Sequence, residues 1–166
     1  MKCLVFSDSH GDADGMRRVI AMHKDAEVIF FLGDGLRDFE EAVYRSPAAK
    51  YFVRGNCDFS HVCFEQVAGR TEEITLEGKK ILICHGDLFG VKGGCDRLLY
   101  YARERGCDIV LFGHTHIPTE EWCEVSGRRI ALFNPGSISR PAVGVRPSFG
   151  ILTIEGTSVL MSHGNV

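Results

Sequence analysis

Five short apolar runs in this chain each stop at an acid, an amide or an imidazole, and that recurrence constrains the fold more than any other feature. Cys3-Leu4-Val5-Phe6 stops at Ser7-Asp8-Ser9-His10, and Val28 to Leu32 runs into Gly33-Asp34-Gly35. Tyr51-Phe52-Val53 ends at Arg54-Gly55-Asn56-Cys57-Asp58, and Lys80 to Cys84 delivers His85-Gly86-Asp87. Ile109 to Phe112 leads into Gly113-His114-Thr115-His116. Runs this short, rich in β-branched residues, read as strands buried on both faces, as in parallel sheets. In such sheets functional groups gather beyond the carboxyl ends of the strands.

Between the runs the spacing predicts helices. One follows Asp14, taken as its cap, with Met16, Val19 and Ile20 on its apolar stripe and His23 at its end. A second covers Arg37 to Tyr44, and a third opens at Gly93 and Gly94, carries Leu98, Leu99, Tyr101 and Ala102, and stops at Gly106. From Glu72 to Cys84 the period changes to two about Glu77-Gly78-Lys79, which predicts a hairpin. Strand patterns return at Glu120–Val125, Ile130–Phe133, Ser148–Ile154 and Ser158–Met161, leaving His163 as a frayed-end residue. His61 and Cys63 take no assignment.

Composition excludes several classes. The 166 residues form one domain, 1–166, with 45% apolar and 25% charged residues. A formal net charge of -3 offers no basic footprint for nucleic acid and no polybasic membrane patch. No stretch approaches the ~18 apolar residues of a membrane span. Seven cysteines, an odd number without a Cys-X-X-Cys pair, argue against a disulfide framework. Cys3 and Cys84 lie in apolar runs as small hydrophobes, and the expected compartment is the cytoplasm.

Seven residues of metal-ligand type stand at the strand ends: Asp8, His10, Asp34, Asn56, His85, His114 and His116. Asn56 fits either a left-handed turn or an amide oxygen ligand. The two imidazoles of the His-X-His pair could serve one ion or two. Mixed nitrogen and oxygen donors without thiolates suit Mn, Fe, Co, Ni or Zn better than Mg or Ca. Seven are too many for one ion, so two ions sharing a carboxylate fit better, with Asp34, framed by glycines, as the bridge. Two divalent ions against two carboxylates leave positive charge, which attracts phosphate. No phosphate loop, nucleophile elbow or GxGxxG fingerprint competes.

These blocks, Asp8-X-His10, Gly33-Asp34, Gly55-Asn56, His85-Gly86 and Gly113-His114-Thr115-His116, resemble the calcineurin-like metallophosphoesterase superfamily. Asn134-Pro135-Gly136-Ser137 resembles a further signature of its small, single-domain YfcE-like phosphodiesterases. The resemblance implies an α/β fold, a four-layer α-β-β-α sandwich of two mixed sheets, with a two-metal site at one edge. It implies Asp8, His10 and His116 on one ion, Asn56, His85 and His114 on the other, and Asp34 between them. The implied chemistry is in-line attack on phosphorus by a hydroxide held between two divalent ions, manganese first among the candidates. Asp12, Asp87 and Ser137 are candidates to orient the imidazoles.

One position departs from the family pattern. Many members carry a histidine after the Asn ligand, backed by an acid, as proton donor to the leaving group; here Cys57 and Asp58 occupy these places. A neutral thiol is a poor substitute at pH 7, which points to diesters with good leaving groups. The catalytic set expected is Asp34, Asn56, His85, Cys57 and Asp58. Asn56 contacts substrate, and Arg140 either holds a phosphate oxygen or is a solvated loop residue. The expected partner is a small phosphoester; relatives of this size often form homo-oligomers. The alternative is a non-catalytic scaffold on the same fold, as in a retromer subunit that has lost ligands.

Overall fold

The computed structural model describes residues 1–59 and 62–166, so His61 lies outside the described residues. The first sheet has strand order β12-β11-β1-β2-β3. Its β1 (Lys2–Phe6), β2 (Val28–Phe31) and β3 (Ala49–Phe52) are parallel. Antiparallel β11 (Ser148–Glu155) and β12 (Ser158–Asn165) complete one side. The second sheet has order β6-β7-β8-β10-β9, with β7 (Lys79–Cys84), β8 (Ile109–Leu111) and β10 (Arg128–Pro135) parallel. Its outer strands β6 (Thr71–Leu76) and β9 (Pro118–Val125) run antiparallel to their neighbours. A two-stranded ribbon, β4 (Val62–Cys63) and β5 (Gln66–Val67), stands apart.

The apolar runs of β1, β2 and β8 are continuous because these strands bury both faces, whereas edge strand β3 is only half-buried. In β1, Cys3 and Val5 enter a core shared by the two sheets, with Phe30, Ile83, Leu111 and Phe133. Leu4 and Phe6 point the other way, onto Met16 and Val19 of α1 (Ala13–Met22) and Phe39 of α2 (Leu36–Val43). On the second sheet, Leu82, Val110 and Leu132 face Leu98 and Leu99 of α3 (Asp96–Glu104). The result is the four-layer sandwich of two mixed sheets. All five runs that end in ligand-type residues form parallel strands, three in the first sheet with β3 at its edge and two in the second, so their carboxyl ends converge on one edge of the sandwich.

Several local expectations are corrected. Asp12, not Asp14, caps α1 by accepting from Gly15 N at 2.8 Å, while Asp14 pairs with Arg17. Gly93 and Gly94 lie in and after a 3-10 turn, and α3 begins later, at Asp96. His163 is no frayed end: it lies within β12, stacks on Phe133 at 4.7 Å and donates from Nε2 to the Asn134 carbonyl at 2.7 Å. The two mixed sheets are those that the family resemblance implies, the C-terminal hairpin adding antiparallel strands beside β1.

Candidate metal centre

Each parallel core strand breaks into a tight loop whose side chains point at a common space. Asp8 and His10 follow β1, Asp34 follows β2, Asn56 follows β3, His85 follows β7, and His114 and His116 follow β8. Five of these seven, Asp8, His10, Asp34, His114 and His116, have positive φ, between 41° and 69°. Left-handed backbone at non-glycine residues costs roughly 1–3 kcal/mol each and persists where surrounding structure enforces it. Gly55 shows how tight the enforcement is: a Cβ there would collide with the Asp34 carboxylate.

The convergent atoms are lone-pair donors. His85 Nδ1–H donates to the Leu32 carbonyl at 2.8 Å, which turns Nε2 into the site. That Nε2 lies 3.1 Å from Asn56 Oδ1, 3.2 Å from His114 Nδ1 and 3.3 Å from Asp34 Oδ2. His116 Nδ1–H donates to the Arg140 carbonyl, and its Nε2 stands 3.0 Å from Asp8 Oδ1 and 3.5 Å from His10 Nε2. Asp34 Oδ2 also lies 3.9 Å from His10 Nε2, so this oxygen faces both groups. Asp8 Oδ1 is buried and, among the described residues, accepts no hydrogen bond.

Acceptors that face acceptors at these distances need positive charge between them. Burial works against a charged His85, but Asp34 and Asp8 beside it outweigh this and raise its proton affinity. Asp8 does the same for His116. His10 and His114 are lowered, chiefly by burial, with their imidazole neighbours adding to the effect. At each nitrogen-to-nitrogen contact one ring thus favours a proton and its neighbour resists one. Three overlapping ligand groups result: Asp8, His10 and His116; Asp8, Asp34 and His85; and His10, Asp34 and Cys57. The buried unpartnered oxygen and the facing nitrogens fit two divalent cations, whose imidazole and carboxylate ligands bind deprotonated.

The residues flagged as second supports behave differently from expectation. Asp12 caps a helix and Asp87 pairs with Arg70, so neither orients an imidazole. Ser137 donates from Oγ to the Asp8 carbonyl at 2.8 Å and steadies a ligand backbone. The His85 and His116 imidazoles are held instead by main-chain carbonyls, which leave no signature in a sequence. Asp58, expected behind a proton donor, spends its carboxylate on four backbone N–H groups, those of Asp34, Gly35, Leu36 and Gly55, at 2.8 to 2.9 Å. It binds the β2 and β3 loops together and satisfies the start of α2.

Three further positioning groups carry no metal-type signal at all. Asp38 accepts from Ser9 Oγ and Gly11 N, both at 2.7 Å. Ser139 donates to the Ser9 carbonyl at 2.7 Å. Buried Asn134 donates from Nδ2 to Gly113 O and Thr115 Oγ1, each at 3.0 Å, and so braces the loop between His114 and His116. Only the Asn-Pro-Gly-Ser resemblance marked that segment in advance.

At the solvent side, Cys57 N donates to Asp34 Oδ1 at 2.7 Å. Partial burial, and then the Asp34, Asp58 and Asp8 carboxylates, push the Cys57 thiol up to about 11, so it is neutral at pH 7. The Arg140 side chain is exposed, and its charge weakens proton binding at His10.

Comparison with known proteins agrees with this geometry. Residues 1–157 match the family model for the calcineurin-like phosphoesterase superfamily domain. The chain is 35% identical over 157 residues to the probable metallophosphoesterase YsnB of Bacillus subtilis, covering 93% of this chain and 85% of that one. It is 28% identical to the phosphodiesterase YfcE of Escherichia coli, covering 96% and 91%. A predicted phosphoesterase of Streptococcus pneumoniae superposes with a TM-score of 0.77 at 26% identity, covering 99% of this chain and 88% of the other. With its ligand groups paired at the strand ends of a four-layer sandwich, the chain belongs to the calcineurin-like phosphoesterase superfamily.

Proposed function

We propose that this protein is a dinuclear-metal-dependent phosphodiesterase. The observation that carries the reading is that Asp34 Oδ2 faces both ligand groups, 3.3 Å from His85 Nε2 and 3.9 Å from His10 Nε2. In this reading Asp8, His10 and His116 hold one ion, Asn56, His85 and His114 hold the other, and Asp34 joins them. When bound, two such ions supply Lewis-acid polarisation of the phosphoryl group and a water made acidic enough to attack at neutral pH. The chain's own residues do the rest. The Leu32 and Arg140 carbonyls fix imidazole tautomers, the Asp58 carboxylate sets the spacing of Asp34 against Asn56, and Asn56 and Arg140 bind a substrate phosphate oxygen.

Every ligand position is filled, which favours an enzyme over a scaffold on the same fold. A relative named as a phosphodiesterase supports the diester over the monoester. Manganese is the proposed metal. All seven cysteines are free thiols, which supports the cytoplasm as the compartment, and among the described residues no helix is long and apolar enough to cross a membrane.

The deciding experiment compares an activated aryl phosphodiester with its monoester, using metal-stripped protein with and without added Mn²⁺. Metal-dependent diester turnover that is lost in Asp34→Asn and His85→Ala is the expected result. Two ions bound per chain with no turnover by Mn²⁺, Ni²⁺, Co²⁺ or Zn²⁺ would establish the scaffold instead. A neutral Cys57 thiol donates a proton poorly, so alkyl diesters are expected to react at least ~100-fold more slowly than aryl ones. Equal rates on the two series would assign an effective proton donor to the site.

A further inference from the structure

Two helices cover the outside of the first sheet, whereas one, α3, covers the second. Beside α3 runs a groove of about 600 Å³, between the start of that helix and β9. One wall is Thr119, Glu121 and Cys123, alternate residues and therefore one face of β9, continued by Ile117 just before the strand. The seven residues from Ile117 to Cys123 give it a length of ~20 Å. Phe112 and Leu132, both almost fully buried, form the floor.

The groove reaches the loop that carries His114 and His116. Thr115, which lies between His114 and His116, lines its near end, and so does Lys92. The Lys92 ammonium is exposed, and its charge is felt at both His114 and His116. Farther along, Glu121 and Asp96 line the groove, and both act on the Cys95 thiol between them. Charge thus runs from positive beside the metal ligands to negative away from them, over an apolar floor. A phosphate fits the near end; a second phosphate farther along would meet two carboxylates.

We propose that this groove receives the non-leaving arm of a phosphodiester substrate, and that the arm is a neutral apolar group, aryl in character, without a second phosphate. The assignment rests on the phosphodiesterase reading above. Cys57 lies on the first-sheet side of the centre, with His10 and Asp34, while the groove leaves from the second-sheet side. The arm that stays therefore lies across the centre from the arm that departs. The acidic far end excludes polynucleotides from this groove.

The test uses two substrates with one leaving group, methyl p-nitrophenyl phosphate and phenyl p-nitrophenyl phosphate, on metal-loaded protein. Cys123→Trp and Thr119→Trp each fill the groove from β9 and touch no ligand. Both variants are expected to lower kcat/KM for the phenyl substrate about tenfold or more, through KM, and to leave the methyl substrate unchanged. Binding of phenyl methylphosphonate, measured by calorimetry, should weaken by the same factor in the same variants. Equal losses on both substrates, or unchanged phenyl rates and phosphonate binding in two folded variants, would overturn the assignment. So would a change of oligomeric state in the filled variants with both rates intact, since the groove would then be an interface. Wild-type protein that binds the phosphonate in the groove but hydrolyses neither diester would instead defeat the phosphodiesterase reading, and with it the assignment of a substrate arm, and leave only an aryl-binding groove.

Discussion

In the half of the metal centre built by the first sheet, loop backbone is tied down by side chains that lie outside the ligand set. Asp58 gathers four N–H groups from the β2 and β3 loops, Asp38 holds the β1 loop through Ser9 and Gly11, and Ser137 and Ser139 secure the Asp8 and Ser9 carbonyls. The half built by the second sheet relies more on its own ligand rings. There His116 donates to the Arg140 carbonyl and His85 reaches across to Leu32 of the first sheet, with Asn134 bracing the loop between His114 and His116 from outside the ligand set. His114 N likewise donates to Asp8 Oδ2 at 3.0 Å. The first-sheet loops are therefore a template, and the histidines of the second sheet are positioned partly against it. Damage to the template should displace ligand groups of both sheets, whereas damage to the histidine side should leave the first-sheet groups in place.

The largest expected effect comes from Asp58→Ala, which leaves four N–H groups without their acceptor. Bonds to a charged group contribute roughly 1.5–3 kcal/mol each, but these groups are only part-buried and water replaces some partners. We expect a net loss of about 3 kcal/mol, which lowers Tm by roughly 6–12 °C at this chain length. Metal analysis should show occupancy falling at both positions. Loss at one position alone would break the template description.

Next in size is Asn134→Ala, which removes the brace on Gly113 and Thr115 and leaves the Gly136 N–H unpartnered. About 2 kcal/mol is expected, or roughly 4–8 °C in Tm. Ion affinity should drop ~10–100-fold where His114 and His116 contribute, with imidazole NMR signals of His85 unmoved. Smallest is Ser139→Ala, at about 1 kcal/mol, read in denaturant melts. A cost as large as that of Asp58→Ala would show that the serine loop, rather than the acid, sets the template.

What could be read in the sequence follows the same division. The seven ligand-type residues stand out because each ends an apolar run, most of these runs reflecting burial on two faces, and the hairpin from Glu72 to Cys84 is visible in its change of period. Asp58 could be named but its work could not: an acid that collects backbone N–H groups looks like any other loop acid. Asp12 and Asp14 were separable only by backbone geometry, since either spacing permits a cap. His163 was hidden by its nearness to the chain end, although strand pairing with β11 carries it to the Phe133 ring. Nothing local announces that β11 and β12 slot in beside β1, because that pairing joins opposite ends of the chain.

The left-handed backbone at five ligand positions bears on how such a centre can be lost. His10 and His116 sit at φ of 41° and 58° with side chains that are partly open to solvent. Glycine at either place would relieve about 1 kcal/mol of backbone cost while removing a ligand. A lineage released from the need for metal would therefore gain stability by discarding these histidines, and selection for folding alone would drift away from the catalyst.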